Sequence, residues 1–178
     1  MLFRLWLICA PLLLLGVSAE SQAPGIRKVH IVERGTYRAE TVARTNTPGT
    51  TGLINTVQNA ELIHSTTSIP GIVGVRFGMR YVVTSDPASG AVPLRLVIRF
   101  PPTGLRNPAT GEMFFQNEHN VSVPTGARLY WEYHFEHQWE VAEGIWQFEF
   151  WEGSKRLGEQ RFCVYDPSRL SVSESRAE

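Results

Sequence analysis

The chain has 178 residues, of which 43% are hydrophobic, and its 17 Lys and Arg residues balance its 17 Asp and Glu residues. This length and hydrophobic content suit one domain with its own core. The balanced charge argues against nucleic acid or an anionic membrane surface as a partner, and two cysteines are too few for a disulfide framework.

Residues 1–19 have the pattern of a cleaved signal peptide. Arg4 supplies a short positive segment, residues 5–17 are almost entirely apolar, and Ala19 ends a run of small residues suited to cleavage. The alternative is a membrane anchor, which is disfavoured because a span needs about 20 apolar residues. We therefore expect an exported protein, periplasmic or secreted, with no membrane span in the mature chain.

Cleavage would leave Cys163 as the only cysteine. A lone cysteine forms no internal disulfide, even in an oxidising compartment. Its position within a strand-like run predicts a half-buried packing residue rather than a reactive thiol. Pairing with another chain remains open, as does the oligomeric state.

The remaining chain divides into a short N-terminal segment, residues 20–27, a β-sandwich domain, residues 28–166, and a polar tail, residues 167–178. No stretch combines helical periodicity with start and stop signals. Runs of period two, separated by Pro, Gly and Asn, predict strands instead. The first of these cover residues 28–37, 53–64, 72–83, 94–100 and 113–123, with a Thr-rich loop over 41–52.

Three aromatic strands follow in residues 129–165. Large apolar residues there alternate with polar ones, which places one face of each strand in a core and the other in water. The positions assigned to the core are Trp131, Tyr133, Phe135, Trp146, Phe148 and Phe150. The total of about eight strands predicts a single all-β domain, an antiparallel β-sandwich of about seven to nine strands.

A series of short motifs, in this order, resembles a known family. The motifs are Gly35-Thr36-Tyr37, Thr67-Ser68-Ile69-Pro70, Gly74-Val75-Arg76-Phe77-Gly78, Phe100-Pro101-Pro102, Glu143-Gly144-Ile145-Trp146-Gln147-Phe148 and Phe162-Cys163-Val164. Together they are similar to the bacterial family named domain of unknown function 3859, over residues 29–166. The resemblance implies an immunoglobulin-like sandwich in the bacterial envelope, most simply the periplasm. It implies no activity and no catalytic residues.

Charge is unevenly distributed along the chain. Residues 26–106 carry ten Lys or Arg and four acids, whereas residues 112–159 carry three Lys or Arg and nine Glu. The two halves of a sandwich interleave, so opposite charges are expected to pair across neighbouring strands. A polarised surface for a partner is the alternative.

The nearest approach to a metal or catalytic site is the row Glu132, His134 and Glu136, with His119 or Glu118 as a further ligand from a neighbouring strand. Zinc needs about three converging ligands. Such a row is more typical of the solvated outer face of an antiparallel sheet. There is no Gly-x-Ser-x-Gly elbow and no phosphate-binding glycine motif. We therefore expect no enzyme activity, no metal and no cofactor.

Tyr130 and Trp151 have the opposite parity to the core rings and are predicted to be exposed. With Glu132 and Glu149 beside them, they could stack on a sugar or anchor a protein, or they could simply shield a sheet face. The first functional hypothesis is a non-enzymatic module that binds another envelope protein through a sheet face or edge. The alternative is a small-molecule or glycan binder that uses Tyr130, Trp151, Glu132, His134 and Glu136.

Overall fold

The computed structural model of the chain describes residues 25–46, 50–51, 53–86 and 90–169. The predicted signal peptide and residues 170–178 of the predicted tail lie outside them. The described residues form one 3₁₀ turn, Gln138–Glu140, and eleven strands. The strands are β1 Gly25–Asn46, β2 Leu53–Ser65, β3 Ser68–Pro70, β4 Arg76–Asp86, β5 Ala91–Arg99, β6 Leu105–Arg106, β7 Met113–Phe114, β8 Gln116–Pro124, β9 Arg128–His134, β10 Gly144–Glu152 and β11 Lys155–Tyr165.

Two main sheets pack face to face. The first sheet has the strand order β2-β1-β4-β9, the second has the order β3-β11-β10-β5-β8, and β6 and β7 form a separate short pair. All neighbours in the main sheets are antiparallel except the pair formed by β3 and β11. The prediction of an all-β antiparallel sandwich is confirmed, with nine strands in the two main sheets. No helix in the described ranges has the length and apolar character that a membrane span requires.

The core between the sheets is aromatic. All six rings that parity assigned to the core are buried. Phe77 of β4 lies at the centre, with its ring centroid 5.6 Å from that of Trp146, 5.4 Å from that of Phe162 and 5.2 Å from that of Phe135. Its contacts with Trp146 and Phe162 are edge-to-face, an arrangement that aromatic pairs favour. The period-two pattern therefore located the core correctly.

Strand β1 is longer than the sequence pattern indicates. It begins at Gly25 rather than Lys28 and continues to Asn46, through the first half of the segment predicted as a Thr-rich loop. Residues 41–46 are strand because they pair with β2, and β-branched threonine suits a pleated backbone. The prediction of a loop over 41–52 was therefore wrong for residues 41–46, whereas residues 50–51 lie outside the strands.

The distal half of this hairpin, residues 38–46 of β1 and 53–61 of β2, forms an arm. Proximal β1 pairs with β4, whereas the arm pairs only within itself. Three irregularities of register interrupt the pairing of β1 with β2, and such bulges bend and twist a strand pair. Gly35, at φ +154°, permits the close approach at the base, where a Cβ would lie 1.8 Å from the His64 carbonyl oxygen.

The arm lies against the outer face of β4 and β9. Arg76 and Arg80 alternate with the buried core residues of β4 and so point away from the core. The Arg76 guanidinium donates to Thr41 Oγ1 at 2.6 Å, and that of Arg80 donates to the Ala60 carbonyl oxygen. Both acceptors belong to the arm. This outer face is therefore covered by the chain itself.

The opposite charges of the two halves of the chain pair across strands, as the interleaving argument predicts. Arg95 lies 3.3 Å from Glu118, and Arg99 lies 3.0 Å from the almost fully buried Glu149. A third pair, Arg76 with Glu132, crosses from β4 to β9. These pairings confirm the first interpretation of the charge asymmetry.

Cys163 is exposed rather than half-buried. It lies on the outer side of β11, between Phe162 and Val164, which both point into the core. The prediction was wrong because the alternation of β11 gives the core positions to its larger neighbours.

Candidate functional site

A cleft opens where the unpaired edge of β8 faces the unpaired edge of β9. Its volume is about 750 Å³, within the range of small-molecule sites. The arm closes one side of it, through Ile54 and Val57 of β2. The wall from the sandwich interior includes Leu96, Ile98, His119, Val121, Val123, Leu129, Trp131 and Tyr133, and the side toward the arm includes Tyr130, Glu132, His134 and Glu136.

The hairpin turn clips the arm across the top of this cleft. The Thr51 backbone N–H donates to Asn117 Oδ1 at 2.9 Å, and Asn117 Nδ2 donates to Thr51 Oγ1 at 2.9 Å. Tyr133 O–H donates to the same hydroxyl at 3.3 Å. The hairpin of the first sheet is thereby fastened to β8 of the second, which makes one site from parts of both sheets.

Trp131 and His119 meet inside the cleft, with their rings perpendicular and centroids 6.3 Å apart. Neither Trp131 Nε1 nor His119 Nδ1 has a hydrogen-bond partner among the described residues, although both atoms are shielded from solvent. Burial lowers the pKa of His119 and keeps its imidazole neutral at neutral pH. An unpaired buried polar atom costs about 1–3 kcal/mol. The pair is therefore a place where a ligand's polar group would gain free energy.

Glu132 holds together the part of the cleft that lies beneath the arm. It pairs with Arg76 and accepts a hydrogen bond from Tyr130 O–H at 2.6 Å. Burial raises the pKa of Glu132, and the hydrogen bonds from Tyr130 and Arg76 oppose that rise. Burial, with Glu132 nearby, raises the pKa of Tyr130 well above its usual value. Tyr130 also packs on Tyr37 of β1, with centroids 4.8 Å apart.

Glu136, two residues beyond the end of β9, ties this part of the chain to the arm. It accepts hydrogen bonds from Arg44 and from Asn55 Nδ2, both at 3.1 Å. His134 Nδ1 lies 3.3 Å from Glu136 Oε1, but without the geometry of a hydrogen bond. Burial and the Arg76 charge lower the pKa of His134, so this contact joins a neutral imidazole to a carboxylate at neutral pH.

Glu140 closes the end of the cleft next to the 3₁₀ turn. It accepts backbone N–H bonds from Glu136 at 2.7 Å and His137 at 2.8 Å. Burial raises its pKa, and these two bonds oppose the rise. Among residues 25–46, 50–51, 53–86 and 90–169, no three His, Cys, Asp or Glu side chains converge as metal ligands.

The structure brings four of the five predicted site residues to the cleft, namely Tyr130, Glu132, His134 and Glu136. The interpretation of their strand face as solvated was wrong, because the arm covers it. Tyr130 and Trp151 do not form an exposed pair, since β9 and β10 belong to different sheets.

Trp151 lies on the outer face of the second sheet. Its Nε1 donates to Glu149 at 3.0 Å, and the Arg95 guanidinium lies 5.0 Å from its ring centroid. Trp151 thus shields the buried Glu149, the alternative role that cross-strand pairing suggested.

Sequence reasoning did not identify Thr51, Asn117 or Trp131 as parts of a site. Parity marked Trp131 as a core ring, which is correct, but the unpaired state of its Nε1 depends on neighbours from other strands. His119 entered only as a possible companion of Glu132 and His134. It points inward from β8, opposite Leu96, whereas those two lie on the arm side of β9. No local sequence signal distinguishes these positions.

Comparison with known proteins agrees with this architecture. The family model described as Domain of unknown function (DUF3859) matches residues 26–164. The chain belongs to this family. The DUF3859 match therefore spans both main sheets, including every strand that forms the cleft. No protein with a curated description matches the chain.

A solved structure supports the fold independently. The chain is similar to an immunoglobulin-like protein from Pseudomonas aeruginosa, with a TM-score of 0.55 and 25% sequence identity. The similarity covers 78% of this chain and 97% of that protein. The immunoglobulin-like fold expected of the DUF3859 family is thereby confirmed.

Proposed function

We propose that this protein is an exported, non-enzymatic binding module of the cell envelope, and that it takes a small ligand into the cleft between β8 and β9. The observation that carries the proposal is the cavity of about 750 Å³, built from both sheets and the arm, with an apolar wall. Cavities of this size with a few polar groups are the usual form of small-molecule sites.

The absence of catalysis in this proposal is supported by how the ionisable groups are engaged. Glu132 is held by Arg76 and Tyr130, and Glu136 by Arg44 and Asn55. A general base or nucleophile needs a free, activated group within reach of substrate. These carboxylates instead join β9 and the segment that follows it to β4 and the arm, and so fix the shape of the cleft.

Export is supported by the charged, then apolar, then small-residue order of residues 1–19. Expression in a Gram-negative host, followed by osmotic release and intact mass measurement, tests it. The expected result is periplasmic protein that lacks residues 1–19. Full-length protein in the cytoplasm would contradict export. It would not bear on ligand binding, which is tested separately.

Binding is tested with N-phenyl-1-naphthylamine, a neutral dye whose fluorescence rises in apolar sites. The protein should bind the dye, and Val121→Phe, which fills the cleft from β8, should reduce that binding at least tenfold. Val32→Phe is the matched control, because Val32 is exposed on β1 and does not line the cleft. Equal binding by the two variants, or no binding by the wild-type protein, would contradict the cleft as the site.

A second candidate function is interaction with another envelope protein through β2. This strand is the edge of the first sheet, and its 13 residues include one carboxylate, Glu61, and no Lys, Arg or Pro. Long edges with few charges are templates for strand pairing. A photo-crosslinking residue at position 63 should capture one defined partner in cells, and the same residue at exposed position 145 on the second sheet should not. Identical adducts from both positions would refute it.

A further inference from the structure

The polar groups inside the cleft restrict the chemistry of its ligand. Trp131 Nε1 carries a hydrogen that has no acceptor among the described residues, and Trp131 is 6% exposed. His119 Nδ1, on the facing strand, is also unpaired and shielded from solvent. An indole N–H can only donate, whereas a neutral imidazole nitrogen donates or accepts according to its tautomer. One ligand group that both accepts and donates would satisfy the two.

The charges around the cleft disfavour anionic ligands. Three carboxylates, Glu132, Glu136 and Glu140, belong to its lining, and no Lys or Arg is found among the described lining residues. The arginines that neutralise two of these carboxylates are Arg76 and Arg44, which are committed to them and to the arm. An anionic headgroup would enter without a counter-charge and beside carboxylates, which is unfavourable in a site of low polarity.

The remaining wall is aliphatic and aromatic. Leu96 and Ile98 from β5, with Val121 and Val123 from β8, form an apolar surface opposite Leu129 of β9. Apolar area removed from water supplies most of the affinity in such sites. The polar pair formed by Trp131 and His119 then selects among apolar molecules.

We infer that the cleft takes a neutral, mainly apolar molecule that carries a hydroxyl group, and that the Trp131 and His119 side chains shift on binding so that Nε1 and Nδ1 reach that group. The inference rests on the proposed function, because it names the ligand class of the same cleft. The hydroxyl oxygen accepts from the indole N–H, and the hydroxyl group completes the hydrogen bonding of His119. A bicyclic or longer hydrocarbon body lies on the aliphatic wall.

Three probes with the same ring system separate the contributions of the apolar body, a hydroxyl group and a negative charge to binding. They are naphthalene, 2-naphthol and 2-naphthoate, titrated by calorimetry at pH 7. The wild-type protein should bind 2-naphthol about three- to tenfold more tightly than naphthalene, the net gain from its hydrogen bonds to Trp131 and His119 after it leaves water, and 2-naphthoate more weakly than both. Trp131→Phe, which keeps a ring in the cleft but removes the N–H donor, should reduce the preference for 2-naphthol over naphthalene to about twofold or less. Trp151→Phe, which removes an indole outside the cleft, should leave the affinities for all three probes unchanged.

A second measurement needs no variant of the cleft. The indole ¹H–¹⁵N signal of Trp131 should shift on addition of 2-naphthol and much less on addition of naphthalene. Preference for 2-naphthoate, or equal binding of 2-naphthol and naphthalene, would overturn the inferred ligand class while N-phenyl-1-naphthylamine binding still supports the cleft. Failure of all three probes and of that dye would overturn both proposals together.

Discussion

Replacing Glu132 by Leu should leave the buried Arg76 guanidinium without its counter-charge. The side chains of Glu132 and Arg76 are each 9% exposed, so the guanidinium would lose its counter-charge where it has little contact with water. The substitution also removes the acceptor of Tyr130 O–H. Among the described residues, Arg76 then keeps only its hydrogen bond to Thr41 Oγ1 on the arm. The change therefore acts on β4, β9 and the arm at once.

The magnitude follows from the burial of the pair. Removing one partner of a buried ion pair lowers the free energy of unfolding by about 3–5 kcal/mol. The Tyr130 hydroxyl, left without an acceptor, contributes part of a further loss of about 1–3 kcal/mol. We expect Glu132→Leu to lower the free energy of unfolding by about 4 kcal/mol, a large part of the about 5–15 kcal/mol of a typical domain. The double variant Arg76→Met with Glu132→Leu removes both charges but still leaves the Tyr130 hydroxyl without its acceptor, so it should recover to within about 2 kcal/mol of wild type.

Urea unfolding followed by circular dichroism, on both single variants and the double variant, gives the coupling energy directly. The matched control is the pair Arg95 and Glu118, whose side chains are 30% and 37% exposed. Its coupling should be below about 1 kcal/mol. A loss of less than about 1 kcal/mol in Glu132→Leu, or a double variant no more stable than the less stable single variant, would refute a buried and coupled ion pair.

Three further predictions concern the closure of the cleft. Gly78→Ala should lower the free energy of unfolding in urea by about 3 kcal/mol or more, because its Cβ would lie 2.1 Å from the Trp131 carbonyl oxygen. Gly158→Ala is the control, since its Cβ would meet nothing within 4 Å, and it should change stability by less than about 1 kcal/mol. Asn117→Ala should speed hydrogen exchange in residues 50–51 and in the arm, with global stability lowered by no more than about 2 kcal/mol; unchanged exchange would show that the clip is not closed by Asn117. Since burial lowers the pKa of His119, the unfolded chain takes up a proton before the folded one, so the unfolding free energy should fall as the pH drops below about 6.5, less steeply in His119→Phe. An identical slope in that variant would contradict the burial of His119.

The core could be predicted from the sequence because period two follows from the strand backbone alone. Trp131 and Tyr133 alternate with polar residues on β9, as Phe148 and Phe150 do on β10, and burial of one strand face buries every ring on it. The same alternation places Cys163 on the surface. Its parity opposes that of Phe162 and Val164, and attention to those neighbours would have placed it on the surface.

The site could be predicted only in part, because it depends on the arm. Parity correctly put Tyr130, Glu132 and His134 on one outer face, but parity does not report what covers that face. Covering requires that β1 continue past Tyr37 and bend at bulges, and irregularities of register have no reliable local signal. The clip between Thr51 and Asn117 joins residues 66 positions apart, which periodicity does not relate.

The central claim is that the cleft between β8 and β9 binds the ligand. Mapping of ¹H–¹⁵N chemical shifts on the folded protein during titration with N-phenyl-1-naphthylamine tests it most directly. We predict that the shifted backbone amides belong to β8, β9 and the arm, with the largest indole change at Trp131. Shifts centred on the outer face around Trp151, or on the edge of β2 alone, would contradict the account.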